Sequence, residues 1–169
     1  MAIRDGLLGE FDQEMANTRK VLERVPEDKF GWKPHPKSGT MIWLAGHVAN
    51  LAGWGAFTIE SEELDLMPGG KRMEPPPPPK NRQELLDLFE KQKGETRKAL
   101  EGVSDEDLRK PWSLLSNGQK IFTMPRLAVL RVVVMNHLVH HRGQLTMYLR
   151  LNDVPLPGLY GPSADEGGF

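Results

Sequence analysis

Leu8, Phe11, Met15, Thr18, Leu22 and Val25 recur at spacings of three and four, with Asp12, Glu14, Arg19, Lys20 and Glu23 between them. Apolar residues at that period make one stripe on an α-helix. The chain is therefore expected to open with a helix over about 3–25, its charged residues in solvent and Pro26 its stop. A second helix is expected from an N-cap at Ser38 or Thr40 to about Glu60. Because each residue advances about 100°, Trp43, Asn50, Leu51, Trp54 and Thr58 fall within roughly 60° of His47. That large-residue side is read as the inward one. The opposite side, Ala45, Ala49, Ala52, Gly53 and Ala56, is small enough for another helix to approach closely. A third helix is expected over about 82–102, with Leu85, Leu86, Phe89, Gln92, Thr96, Leu100 and Val103 inward and a mixed-sign outer face. The fourth is the long apolar-periodic run from about Met124 to Leu151.

The connections punctuate this pattern. Pro26, Pro34 and Pro36 make the first one an extended connector, and His35 within it is expected to be exposed and without a functional role. Residues 61–80 contain Pro68-Gly69-Gly70 and the run Pro75 to Pro79, a polyproline II strut. Such a strut is long enough to carry the chain from one end of a bundle to the other. Pro111 to Met124, with a turn at Ser116-Asn117-Gly118-Gln119, reads as a small hairpin or irregular loop. Thr123 as N-cap, with Pro125 in the first turn, then opens the last helix. After Asn152 the Pro- and Gly-rich tail is expected to drape Tyr160-Gly161-Pro162-Ser163 over the bundle and to fray at Gly167-Gly168-Phe169. The expected fold class is all-α. It is a single domain over 1–169, a four-helix bundle with a long crossover between helices 2 and 3 and a small hairpin before helix 4.

Composition narrows the function classes. The chain has 22 basic and 23 acidic residues, a net charge of −1, which gives no reason to expect nucleic acid or an anionic membrane as partner. Cysteine is absent, which excludes disulfides, thiolate metal sites and a cysteine nucleophile. No apolar run approaches a membrane span. The first ten residues carry Arg4, Asp5 and Glu10 and are not expected to act as a signal peptide, so a cytoplasmic location is expected. Phosphate-binding Gly-rich loops, nucleophile elbows and dinucleotide fingerprints are not found.

The chemistry then rests on histidine. His137 and His141 are four apart, one turn of helix, close enough to share a metal ion. Leu130, Val133, Val134, His140, Gln144, Tyr148 and Leu151 share that side of the wheel, so the pair is expected to face inward. Alone it would read as two core histidines bonded to backbone or to each other. His47 on the inward side of a facing helix adds a third imidazole. Three neutral nitrogens on two helices suit a divalent ion such as zinc or nickel and leave a fourth position open. Core filling stays the competing reading. No carboxylate shares the histidines' side, so a general base is not evident, and Asn50, Gln144 and Tyr148 are the polar candidates for orienting a substrate.

Leu44-Ala45-Gly46-His47-Val48-Ala49-Asn50 and His137-Leu138-Val139-His140-His141-Arg142-Gly143-Gln144-Leu145 resemble the two signature segments of the DinB-like family. Trp32-Lys33-Pro34, Asn152-Asp153-Val154-Pro155 and Tyr160-Gly161 extend the resemblance over essentially the whole chain. It implies a bundle with a long crossover between helices 2 and 3, and a divalent metal, most often zinc or nickel, on His47, His137 and His141. It also implies a low-molecular-weight thiol as cosubstrate in transfer to a small electrophilic molecule. A metal-dependent hydrolase and a non-catalytic metal-binding or stress-response module are the alternatives. A homodimer is expected too. Val132, Met135 and Val139, with Gly143 at the edge, form a second apolar stripe opposite the histidines, and the family is frequently dimeric. The small-residue face of helix 2 is a second candidate for that contact.

Overall fold

The structure, a computed structural model, describes residues 2–167. Gly168 and Phe169, where fraying was expected, lie outside the described residues. Four helical segments form the core. They are α1 (Ile3–Leu22), α2 (Met41–Leu51) continued by α3 (Trp54–Glu60), α4 (Arg82–Gly102), and α7 (Asn136–Arg150) at the end of the chain. Their directions follow from their contacts. Arg19 pairs with Glu90, Asp12 with Arg97, and Arg4 reaches the Glu101 carbonyl, so α1 and α4 are antiparallel. Glu10 meets Arg131, Glu14 meets Arg142 and Arg24 meets Pro155, so α1 and the last helix are parallel. Gly46 lies against Pro79, Gly53 against Gln92, and Ala52 and Ala56 against Thr96, so α2, α3 and α4 are parallel neighbours. Parallel neighbours need a connection as long as the helices themselves, and residues 61–81 supply it. Among the described residues no helix is long and apolar enough to cross a membrane.

The second helix is not the single run expected up to Glu60. It breaks at Ala52 and Gly53, and Thr96 of α4 sits in the break. The Thr96 hydroxyl donates to the Ala52 carbonyl at 2.6 Å and accepts from the Ala56 N–H at 3.0 Å, in place of the backbone bond that would join them. Gly53 has no side chain because Gln92 fills the space a Cβ would take. Thr40 caps α2 as expected, its hydroxyl accepting from Trp43 N–H at 3.3 Å.

The all-α expectation fails. The crossover contributes strand β1 (Glu63–Asp65), and after the short α5 (Asp105–Arg109) the chain forms β2 (Pro111–Ser116) and β3 (Gln119–Pro125). The three make a mixed sheet in the order β1-β2-β3, β1 parallel and β3 antiparallel to β2. Asn117 and Gly118 turn the β2–β3 hairpin with φ of 51° and 74°, the left-handed pair a two-residue turn needs. A three-residue strand inside a proline-rich linker leaves no period to read. Its pairing is fixed from elsewhere, because Asp65 accepts the N–H groups of Asn117 and Gly118 at the hairpin turn. Trp112 is buried between sheet and helices and donates to Ser61 at 3.1 Å. Thr123 lies in β3 rather than capping a helix. Pro125 is the N-cap of α6 (Arg126–Val129), which passes through a π-helical turn (Leu130–Met135) into α7.

Which faces are buried also differs from the wheel. Ala45, Ala49 and Ala52 are completely buried and Ala56 nearly so, whereas Trp43 is 48% exposed. Close approach of α4 selects small residues for the packed face, so size is a poor guide to inside and outside there. That face is consequently not free for a second copy of the chain. On α7 the buried stripe is Leu138, Arg142, Leu145 and Leu149. At about 100° per residue it is centred roughly 110° round from His137. The histidines therefore border the core instead of filling it. Of the stripe expected to be free, Val132 is exposed, Val139 half-buried, and Met135 buried at 5%.

Candidate metal centre

Antiparallel packing of α2 against α7 brings His47 opposite His137 and His141, and all three are half-buried. One nitrogen from each ring lies within 4.8 Å of the others, and Nε2 of His137 is 2.9 Å from Nε2 of His141. A tetrahedral ion held at about 2.0–2.1 Å separates its ligand nitrogens by about 3.4 Å, a value these distances bracket. The π-helical turn ends at Met135, two residues before His137. Such turns recur at functional sites because the wider backbone re-aims side chains.

The tautomers are set by what the other ring nitrogens meet. His141 Nδ1 is 2.7 Å from Gln144 Oε1, an acceptor only, so the proton sits on Nδ1 and leaves a lone pair on Nε2. One turn back, the Val133 carbonyl, likewise an acceptor only, favours the protonated His137 ring. The two Nε2 atoms, 2.9 Å apart, are at the distance that one proton on either ring, or a shared cation, would bridge. Burial, then the neighbouring His141 and His137, lowers the His47 pKa to about 4. His137 is lowered by burial and by His141 as well. Neutral rings are the ones that can ligate. Trp43 stacks on His47 with centroids 5.4 Å apart, and exposed His140 abuts His141 edge-on without joining the group.

The polar candidates divide. Gln144 reaches His141 through its Oε1. Asn50 donates to its own helix, to the Gly46 carbonyl at 3.0 Å. Tyr148 donates to the Gly39 carbonyl at 3.3 Å and meets Trp32 edge-on, tying the loop before α2 to α7. His35 is exposed and accepts from Lys37 N–H, and it does not join the group of three. Sequence reasoning missed a second polar cluster. Glu14, placed in solvent by the wheel, is buried against Arg142 and Tyr160. Leu7 and Val21, seven residues either side of Glu14 and both buried, are the signal that would have found it. Arg126 was missed as well; buried, it donates to the Thr58 and Ser61 carbonyls at the end of α3.

A triad of half-buried imidazoles joining two antiparallel helices at the edge of an α-rich core defines a helical protein with a candidate three-histidine cation site. The sequence profile of the DinB superfamily matches residues 10–145, and the chain belongs to that superfamily. A DinB-like protein from Bacillus cereus ATCC 10987 has the same fold, with a TM-score of 0.70 at 22% identity, over 94% of this chain and 98% of that one. The DinB-like protein YjoA from Bacillus subtilis matches at a TM-score of 0.70 and 20% identity, over 94% of this chain and 99% of that one. No curated protein matches the chain.

Proposed function

We propose that the chain binds one divalent cation, zinc or nickel, on His47, His137 and His141, and uses it for thiol-dependent transfer to a small electrophilic molecule. The observation that carries the reading is the pair of Nε2 atoms 2.9 Å apart beside a third half-buried imidazole, one nitrogen of each ring within 4.8 Å of the others. A divalent cation among them would be held by all three at once. A divalent ion there supplies a Lewis acid that makes a thiol nucleophilic at neutral pH. Three protein ligands leave a position for that thiol. Gln144 Oε1, 2.7 Å from His141 Nδ1, holds that ring's proton away from the ligand position. Among the described residues no carboxylate joins the group, which favours a thiol, needing no separate base, over a water that hydrolysis would have to activate. The test is metal content after chelation and reloading, followed by turnover of an electrophile with and without added thiol. Retention of the metal by His137→Ala overturns the binding reading, and efficient ester or amide hydrolysis without thiol overturns the chemistry. On the same footing the chain acts as a symmetric dimer through exposed Val132 with Val139 and Gly143. Light scattering that gives a monomer at micromolar concentration refutes that assembly.

A further inference from the structure

A pocket of about 360 Å³ opens beside the triad, and two of its walls are the residues that hold histidines. Trp43 stacks on His47, and Gln144 binds His141. Pro34, Leu44 and Met147 complete an apolar lining, and no Asp, Glu, Lys or Arg takes part in it. Trp43 and Met147 are 48% and 58% exposed, an apolar pair left uncovered at the rim. The polar groups are few. Among the described residues the Gln144 amide N–H₂ and the Ser38 hydroxyl have no partner, and Tyr148 spends its proton on Gly39.

We propose that this pocket receives the uncharged, apolar arm, aromatic or branched aliphatic, of the small molecule whose reacting head lies at the triad. A charged arm would leave water for a lining with no counter-charge. An apolar one gains burial against Trp43 and contact with the Met147 sulfur. The volume is near the low end of ligand pockets, about 300–1,000 Å³, which suits one ring or a short branched chain. Gln144 and Ser38 offer donors to a single acceptor on that arm. The placement of the head rests on the cation reading above; the preference for an apolar arm rests on the pocket itself.

Three thiols separate the possibilities by calorimetry on the zinc-loaded protein: benzyl mercaptan, cationic cysteamine and anionic mercaptoacetate. Benzyl mercaptan is expected to bind at least about ten-fold tighter than either charged thiol. Met147→Glu, at an exposed helix position that leaves the core untouched, is expected to abolish that preference and bring cysteamine above benzyl mercaptan. Equal affinities in the unmodified protein, or an unchanged order in Met147→Glu, overturn the proposal. Benzyl alcohol, which carries no thiol, is titrated into metal-free protein while the Met147 methyl resonance is followed. A saturable shift in a protein that then takes up no zinc sinks the cation reading and keeps the pocket. Metal loading without thiol discrimination, or without a methyl shift, sinks the pocket and keeps the cation reading.

Discussion

His141 and Arg142 are adjacent in sequence and face opposite environments. The Arg142 side chain is 1% exposed, and its guanidinium donates to the Glu14 carbonyl at 2.9 Å, Thr18 Oγ1 at 3.1 Å, Glu14 Oε2 at 2.6 Å and Tyr160 Oη at 2.5 Å. Tyr160 in turn donates to Glu14 at 2.8 Å. Here charge meets charge and donors meet acceptors in a closed network. Round the same helix, His137 and His141 meet His47 as three half-buried imidazoles whose nitrogens lie within 4.8 Å of one another, and among the described residues no carboxylate joins them. Both clusters are polar groups at the border of an apolar core. A saturated cluster fixes structure, whereas one whose members meet only each other keeps capacity for a further ligand.

The largest expected effect tests the saturated side. Arg142→Met leaves the Glu14 carboxylate buried without its partner, which costs about 3–5 kcal/mol of unfolding free energy in urea titration. His137→Ala in metal-free protein removes a half-exposed ring and is expected to stay within about 1 kcal/mol of the parent. The reverse order of these two variants would break the comparison.

Metal loading tests the histidine side. At a hundred-fold excess over its dissociation constant the ion should raise stability by about 2.7 kcal/mol, and chelation should return the protein to its starting point. Thermal denaturation with and without zinc should show that increment in His35→Ala and not in His47→Ala, His137→Ala or His141→Ala. An equal shift in all four variants places the ion elsewhere. A finer division concerns Gln144. Gln144→Leu keeps three ligands but frees the His141 ring to turn, so affinity should fall about 10–100-fold with stability of the metal-free protein unchanged. Unaltered affinity would remove Gln144 from the site.

What was legible in the sequence follows from which interactions are local. The extent of α4 and the cap at Thr40 come from signals within a few residues of each other, and the sequence shows them. His137 and His141 are likewise a local pair, and His47 stood out as the lone histidine of its helix. The break at Ala52 was hidden because its cause is a hydroxyl forty-four residues away. β1 was hidden because three residues carry no alternation. Glu14 and Arg142, 128 residues apart, each look like surface charges until they are placed together. The histidine side was read as deeper than it is because residue size stood in for burial, whereas α2 buries Ala45 and Ala49 as completely as Leu51 and leaves Trp43 half-exposed.

The smallest expected effect concerns the tail, the outer layer over Arg142, and it is a matter of pH. Asp165 accepts from Arg150 at 2.6 Å and from Leu156 N–H at 2.8 Å, and these contacts, Arg150 first, hold its carboxyl below the ordinary value of 3.8. Glu166 is held below 4.5 by the Gly158 N–H first and then by Arg24. A carboxyl whose folded pKa is depressed stabilises above its unfolded pKa, and that contribution disappears as pH falls through the folded value. The tail should therefore stay docked at neutral pH and begin to loosen as pH drops below the ordinary carboxylate values. Both groups are exposed, so α7 beneath is expected to outlast this change. Amide exchange reads it directly: Leu156 and Gly158 should lose protection in acid while Leu145 and Leu149 keep theirs. Asp165→Asn should loosen Leu156 already at neutral pH, because it removes one charge from the Arg150 pair. If Leu156 and Gly158 stay protected until α7 itself opens, the tail is held by Tyr160 and its apolar contacts, and it belongs to the saturated network it covers.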